Sequence, residues 1–65
     1  MKIKYDIETD AIYMILSDDR VVDSEETEKD VIVDYNKNNE VVAIEILNVK
    51  TNEHTIDLPF VLKSA

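Results

Sequence analysis

The chain has 65 residues, enough for one domain (residues 1–65) around a small core, and it carries no Cys, which excludes disulfides, thiolate metal sites and cysteine nucleophiles. Fifteen Asp and Glu against seven Lys and Arg leave a net charge of −8, which argues against nucleic-acid binding through phosphate neutralisation. With 45% hydrophobic residues the chain is expected to fold rather than persist as an acidic tail, and no apolar run reaches the roughly 18 residues that span a bilayer.

The first element is a short strand: Lys2, Ile3, Lys4 and Tyr5 alternate, with the lysines on one face and Ile3 and Tyr5 on the other. Ile7, Glu8, Thr9 and Asp10 form a turn, and Ala11, Ile12, Tyr13, Met14, Ile15 and Leu16 follow as an apolar run of strand length. Both faces of that run are apolar, which predicts a central strand covered on both sides and closes a hairpin over residues 2–17. Ser17, Asp18, Asp19 and Arg20 read as a second turn. From Val21 to Lys29 the pattern fits a helix start at Ser24 or an exposed edge strand, and the edge strand is preferred because its charges discourage pairing with other chains.

The clearest element is the hairpin over residues 31–47. Val31, Ile32, Val33, Asp34 and Tyr35 form one strand, and Val41, Val42, Ala43, Ile44, Glu45, Ile46 and Leu47 form the other. The protein has no Gly, so a turn position needing positive φ falls to Asn38 or Asn39. Ile56, Leu58, Phe60, Val61 and Leu62 around Pro59 are expected to dock as a short helical turn or an extended arm, covering one face or swapping onto a partner. The fold class expected is α+β, mainly β: a small antiparallel sheet of four or five strands with Ile12, Met14, Leu16, Val33, Ile44 and Ile46 in the core.

Candidate chemistry is sparse. Asp34, Asn36, Asn38 and Glu45 reproduce positions one, three, five and twelve of a calcium loop, with Asn39 where that loop has Gly. That loop needs flanking helices, whereas β-branched residues flank this one, so a structural hairpin with Glu45 facing solvent is preferred. A metal-binding or hydrolytic role for these four residues is kept as the alternative. Asp6, Glu8 and Asp10 share the spacing, but Ala11 and Ser17 stand where Gly and Glu are needed. His54, the single histidine, has polar neighbours that suggest exposure, and Ser17, Ser24 and Ser64 lie in turns or at the terminus with no partner set by spacing. The run Asp23, Ser24, Glu25, Glu26, Thr27, Glu28 reads as a solvated face, or as a docking surface for a basic partner.

Three stretches together resemble the domain of unknown function 2283 family. They are Tyr5, Asp6, Glu8, Asp10, Ala11, Ile12, Tyr13, Ile15, Leu16, Ser17; then Val31, Ile32, Asp34, Tyr35; then Val41, Val42, Ala43, Ile44, Glu45, Ile46, Leu47. The resemblance covers roughly residues 1 to 49. Asn36 and Asn39 stand where relatives carry an aspartate and a glycine, Ala43 replaces a common glycine, and Asn48 to Thr55 with Pro59 replace a frequent helix. The resemblance implies a small α+β or mainly β fold and no established activity or catalytic residues. Some relatives are thought to sit beside small toxin-like genes, which implies an acidic, antitoxin-like partner.

Together these readings predict a cytoplasmic, non-enzymatic acidic interaction module with no cofactor and no membrane or direct nucleic-acid contact. The stability balance is thin. About 4,000 Å² of apolar burial contributes about 100 kcal/mol, and ordering the chain at about 1.5 kcal/mol per residue costs nearly as much. A homo-oligomer, as a dimer, is therefore expected alongside any basic protein partner.

Overall fold

The computed structural model describes residues 1–52. Their regular structure is entirely β: β1 (Lys2–Asp6), β2 (Ala11–Ile15), β3 (Asp23–Glu28), β4 (Val31–Tyr35) and β5 (Val41–Ile46). The strands form one antiparallel sheet in the order β1-β2-β5-β4-β3. Both expected hairpins are present, and the ambiguous acidic stretch is the edge strand β3. The described residues contain no helix, so none is long and apolar enough to cross a membrane, and the fold there is mainly β. The anticipated C-terminal helical turn or arm, with Pro59 and its apolar neighbours, lies outside the described residues.

Strands β3, β4 and β5 follow one another through hairpins, while β2 lies on the far side of β5. The connection over residues 16–22 therefore crosses one end of the sheet, giving a Greek-key arrangement. β5 sits at the centre and pairs along both edges, a position that suits its β-branched Val41, Val42, Ile44 and Ile46. The polar β3 takes an edge, where its carboxylates stay hydrated.

Register sorts the side chains into two faces, because directly paired residues of antiparallel strands share a face. One row runs Ile3, Met14, Ile44, Val33 and Glu25, and a second runs Tyr5, Ile12, Ile46, Val31 and Glu28. This face is apolar until it reaches β3. The opposite face carries Lys4, Tyr13, Glu45, Ile32 and Glu26 in one row and Lys2, Ile15, Ala43, Asp34 and Ser24 in the next.

The core differs in part from the sequence reading. Ile12 is buried as expected, but Met14, Val33, Ile44 and Ile46 are half-buried, and the deepest apolar residues are Ala11, Ile12, Val42, Ala43 and Val49. Leu16 is 47% exposed because β2 ends at Ile15, and the chain bends there so that the Leu16 and Ser17 N–H groups both donate to the Val42 carbonyl. With no second layer among the described residues, small side chains such as Ala11 and Val42 come nearest to full burial, while Met14, Val33, Ile44 and Ile46 keep part of their surface in solvent.

With no Gly available, the left-handed backbone positions fall to Asp and Asn, whose short polar side chains tolerate them. Asn39 (φ 62°) is the hairpin position anticipated; Asp10 (53°), Asp30 (64°) and Asn48 (51°) are further ones that the strand pattern did not reveal. Asp10 and Asp30 close the β1–β2 and β3–β4 turns, and both hold the segment after β5. The Asp10 carboxylate accepts the Tyr5 hydroxyl at 2.7 Å, the Lys50 N–H at 3.0 Å, and the Thr51 N–H and hydroxyl at 3.2 Å each. The Asp30 carboxylate accepts Asn48 Nδ2 at 3.2 Å and Asn52 Nδ2 at 2.8 Å.

The Lys50 N–H, then the Tyr5 hydroxyl, then the Thr51 groups hold the Asp10 carboxyl down at about 2 against the opposing effect of burial. The same carboxylate raises the Tyr5 phenol above its ordinary value. A depressed carboxyl contributes stability that is present above about pH 4 and lost as pH falls toward 2. Asp10→Asn is therefore expected to be less stable than the wild type at pH 5 and to converge with it near pH 2. Urea titrations across that range would show this, and parallel curves would contradict it.

Candidate functional site

The four residues with calcium-loop spacing do not converge. Asn38 is exposed in the β4–β5 turn. Asn36, 7% exposed, is consumed by structure: its Oδ1 accepts the N–H groups of Asn38 and Glu40, both at 2.9 Å, and its Nδ2 donates to Asp19 Oδ2 at 3.0 Å and Glu40 Oε1 at 3.1 Å. An amide offers two acceptor and two donor positions, so this side chain is fully satisfied and has nothing left for a cation. Among the described residues there is no group of three or more His, Cys, Asp and Glu arranged to hold a metal ion. The Asp6, Glu8, Asp10 pattern is likewise absorbed locally, with Asp6 accepting the Glu8 N–H at 2.9 Å and Asp10 acting as the clamp described above.

Asn36 does tie the Greek key together. Asp19 belongs to the crossing segment and Glu40 to the hairpin, so one buried amide fastens the crossover to the β4–β5 turn. The Val22 N–H also donates to the Tyr35 carbonyl at 2.8 Å. An open depression of about 410 Å³ beside it is lined by Asp19, Arg20, Val22, Asn36, Lys37 and Asn38. The role of Asp19 was not visible in the sequence, since nothing local marks a contact spanning 17 positions.

The structure does bring Asp34 and Glu45 together. They lie on neighbouring strands and the same face, on a diagonal two residues out of direct register, with Asp34 opposite Ala43 and Glu45 opposite Ile32. Asp34 is 6% exposed and accepts the Ser24 hydroxyl at 2.6 Å. Ser24 is thus a strand residue with a partner, contrary to its expected place in a turn. Glu45 is half-buried rather than facing open solvent. Hydrogen bonding to Asp34, then burial, then repulsion from the Asp34 charge raise the Glu45 carboxyl to about 7. Two carboxyls in contact share one proton, because ionising both places like charges side by side. Beside Glu45 in its row stands Tyr13, whose ring carries Lys4 Nζ at 5.3 Å from its centre. The chain Ser24–Asp34–Glu45 can hold and orient a proton within the sheet.

The remaining feature is β3 itself. All six residues of Asp23–Glu28 are exposed, and one side of the strand has no neighbour among the described strands. Asp23, Glu25 and Glu28 stand opposite Tyr35, Val33 and Val31, on the apolar face of the sheet, and Glu26 stands on the other face. A bulge between Glu26 and Glu28 absorbs Thr27 and turns Glu28 onto the face of Glu25. His54 and Ser64 lie outside the described residues; Ser17 accepts the Asp19 N–H at 3.0 Å within the crossover.

Residues 2–50 match the model of a family described as Protein of unknown function (DUF2283). No curated protein and no solved structure matches the chain.

Proposed function

The chain belongs to the DUF2283 family, and from that premise, which carries no activity with it, we propose that it is a non-enzymatic acidic protein-interaction module, an antitoxin-like partner of a small basic protein. The observation that carries this reading is the fully exposed edge strand β3, with four carboxylates on six residues. Charges on an edge strand deter pairing with a second copy, because like charges would meet across the new ladder. The same charges accelerate encounter with a surface of opposite sign and penalise acidic competitors. A net charge of −8 extends that selection over the whole molecule.

The test is retention of partners from lysate of the cells that encode the protein, at low salt, by the wild type and by the double variant Glu25→Lys/Glu26→Lys. Both side chains are exposed, so the variant is expected to keep the wild-type circular dichroism spectrum. A basic protein held at one-to-one stoichiometry by the wild type, and released by the variant, is the expected result. Retention of the same proteins by both, or of none by the wild type, would refute the reading.

A further inference from the structure

We propose that the partner docks by strand addition, laying an extended basic segment antiparallel or parallel along the edge of β3 that has no neighbour among the described strands, as a sixth strand. This rests on the acidic-module reading and specifies how that surface binds. An edge strand presents unpaired N–H and C=O groups on alternate residues, a ready template for main-chain pairing. β3 offers six exposed residues for it, about 20 Å of edge. Asp23, Glu25 and Glu28 form a row along one face, set there by the bulge at Thr27, and Glu26 stands on the other face.

Side chains on one face of a strand recur every second residue, at a spacing of about 7 Å. The matching segment therefore carries Lys or Arg at alternate positions, on the side of Asp23 and Glu25. Main-chain hydrogen bonds supply the ladder, and the cation row selects the sequence. The opposite edge of the sheet, β1, carries Lys2 and Lys4 on the same face as Glu26, so a second copy is the rival occupant. The net charge of −8 on each copy opposes that pairing and favours a basic partner.

The probe is the peptide Lys-Thr-Lys-Val-Lys-Thr-Lys-Val, compared with the same peptide methylated on every backbone amide. Methylation keeps the side-chain charges and removes every donor to a ladder. Strand addition predicts at least a tenfold loss of affinity on methylation, together with slowed hydrogen exchange at alternate β3 amides when the unmethylated peptide is bound. Equal affinity of the two peptides, without protection at β3, overturns strand addition while leaving the acidic module intact. Failure of both to bind at low salt overturns strand addition, and the charge-reversal retention test then decides separately whether the module reading falls with it. Protection of β3 that grows with protein concentration in the absence of peptide assigns the edge to a second copy, and equally overturns the proposal.

Discussion

Replacing Glu45 by Gln is expected to raise the melting temperature at pH 8 and to leave it nearly unchanged at pH 4.5. In the folded protein the Glu45 carboxyl is raised to about 7 by its hydrogen bond to Asp34, by burial and by the Asp34 charge. In the unfolded chain it titrates near the ordinary glutamate value. Between these the folded state holds a proton that the unfolded state has released, so stability falls as pH rises from about 4.5 to about 7 and is flat beyond. The groups facing Glu45 on its side of the sheet do not remove this penalty. Tyr13 and Ile32 bring no cation, Lys4 sits over the Tyr13 ring, and Asp34 and Glu26 are acidic residues. In a dry site such a displacement would correspond to about 3 kcal/mol. Solvent reaches the half-buried Glu45 and screens part of it, leaving about 1–2 kcal/mol. For a domain of this size that is about 5–15 °C in melting temperature at pH 8. Gln keeps a donor toward Asp34 and brings no charge. Thermal melts of wild type and variant from pH 4 to 9 provide the test; identical pH profiles would show that the two carboxyls do not share a proton.

The second large effect is expected at Asn36. Changing it to Asp removes both Nδ2 donors and sets a third carboxylate between Asp19 and Glu40, at a position only 7% exposed. Losing two charge-assisted bonds and adding buried repulsion costs about 2–4 kcal/mol. Domains of this length hold about 0.05–0.15 kcal/mol per residue, about 3–10 kcal/mol in all, so the variant is expected to lose a large share of its stability. Asn36→Ala separates the contributions, because it loses the bonds without adding the charge. At pH 7 the Asp variant should be the less stable of the two, and the gap should narrow at pH 4 as carboxyls protonate. Equal stability at pH 7 would mean that Asp19 and Glu40 turn away and that the crossover is not fastened here.

Acid behaviour combines two opposing groups. Glu45 makes the protein more stable as pH falls from 7 to 4.5, and Asp10 makes it less stable as pH falls from 4 to 2. The relative stability of these two variants against wild type therefore changes in different pH windows, which lets one titration series separate the sheet pair from the turn clamp.

Much of this architecture was legible locally. The alternation in Lys2–Asp6, the apolar run at Ala11–Ile15 and the two β-branched stretches around Asn36–Glu40 identify four strands and two hairpins, because strand period and turn chemistry act over a few residues. Composition set the net charge of −8. Asn39 at positive φ followed from the absence of Gly.

Other features depended on which strands became neighbours. Calcium-loop spacing left convergence of Asp34, Asn36, Asn38 and Glu45 open as the alternative to a structural hairpin, and in the fold Asn36 turns to Asp19 and Glu40 while Ser24 takes Asp34. Leu16 fitted the apolar period but falls past the end of β2, where the chain leaves for the crossover. Asp10 read as an ordinary turn carboxylate until the segment after β5 came within its reach, and Asp30 holds the same segment. Sequence by itself determined the strands, the charge and the absence of thiol chemistry, since these rest on residue type and spacing within one element. Only the tertiary structure decided that β2 lies beside β5, and hence that the chain crosses the end of the sheet where Asn36 fastens it to Asp19. Such pairings form between residues distant in the chain, and short-range periodicity carries no record of them.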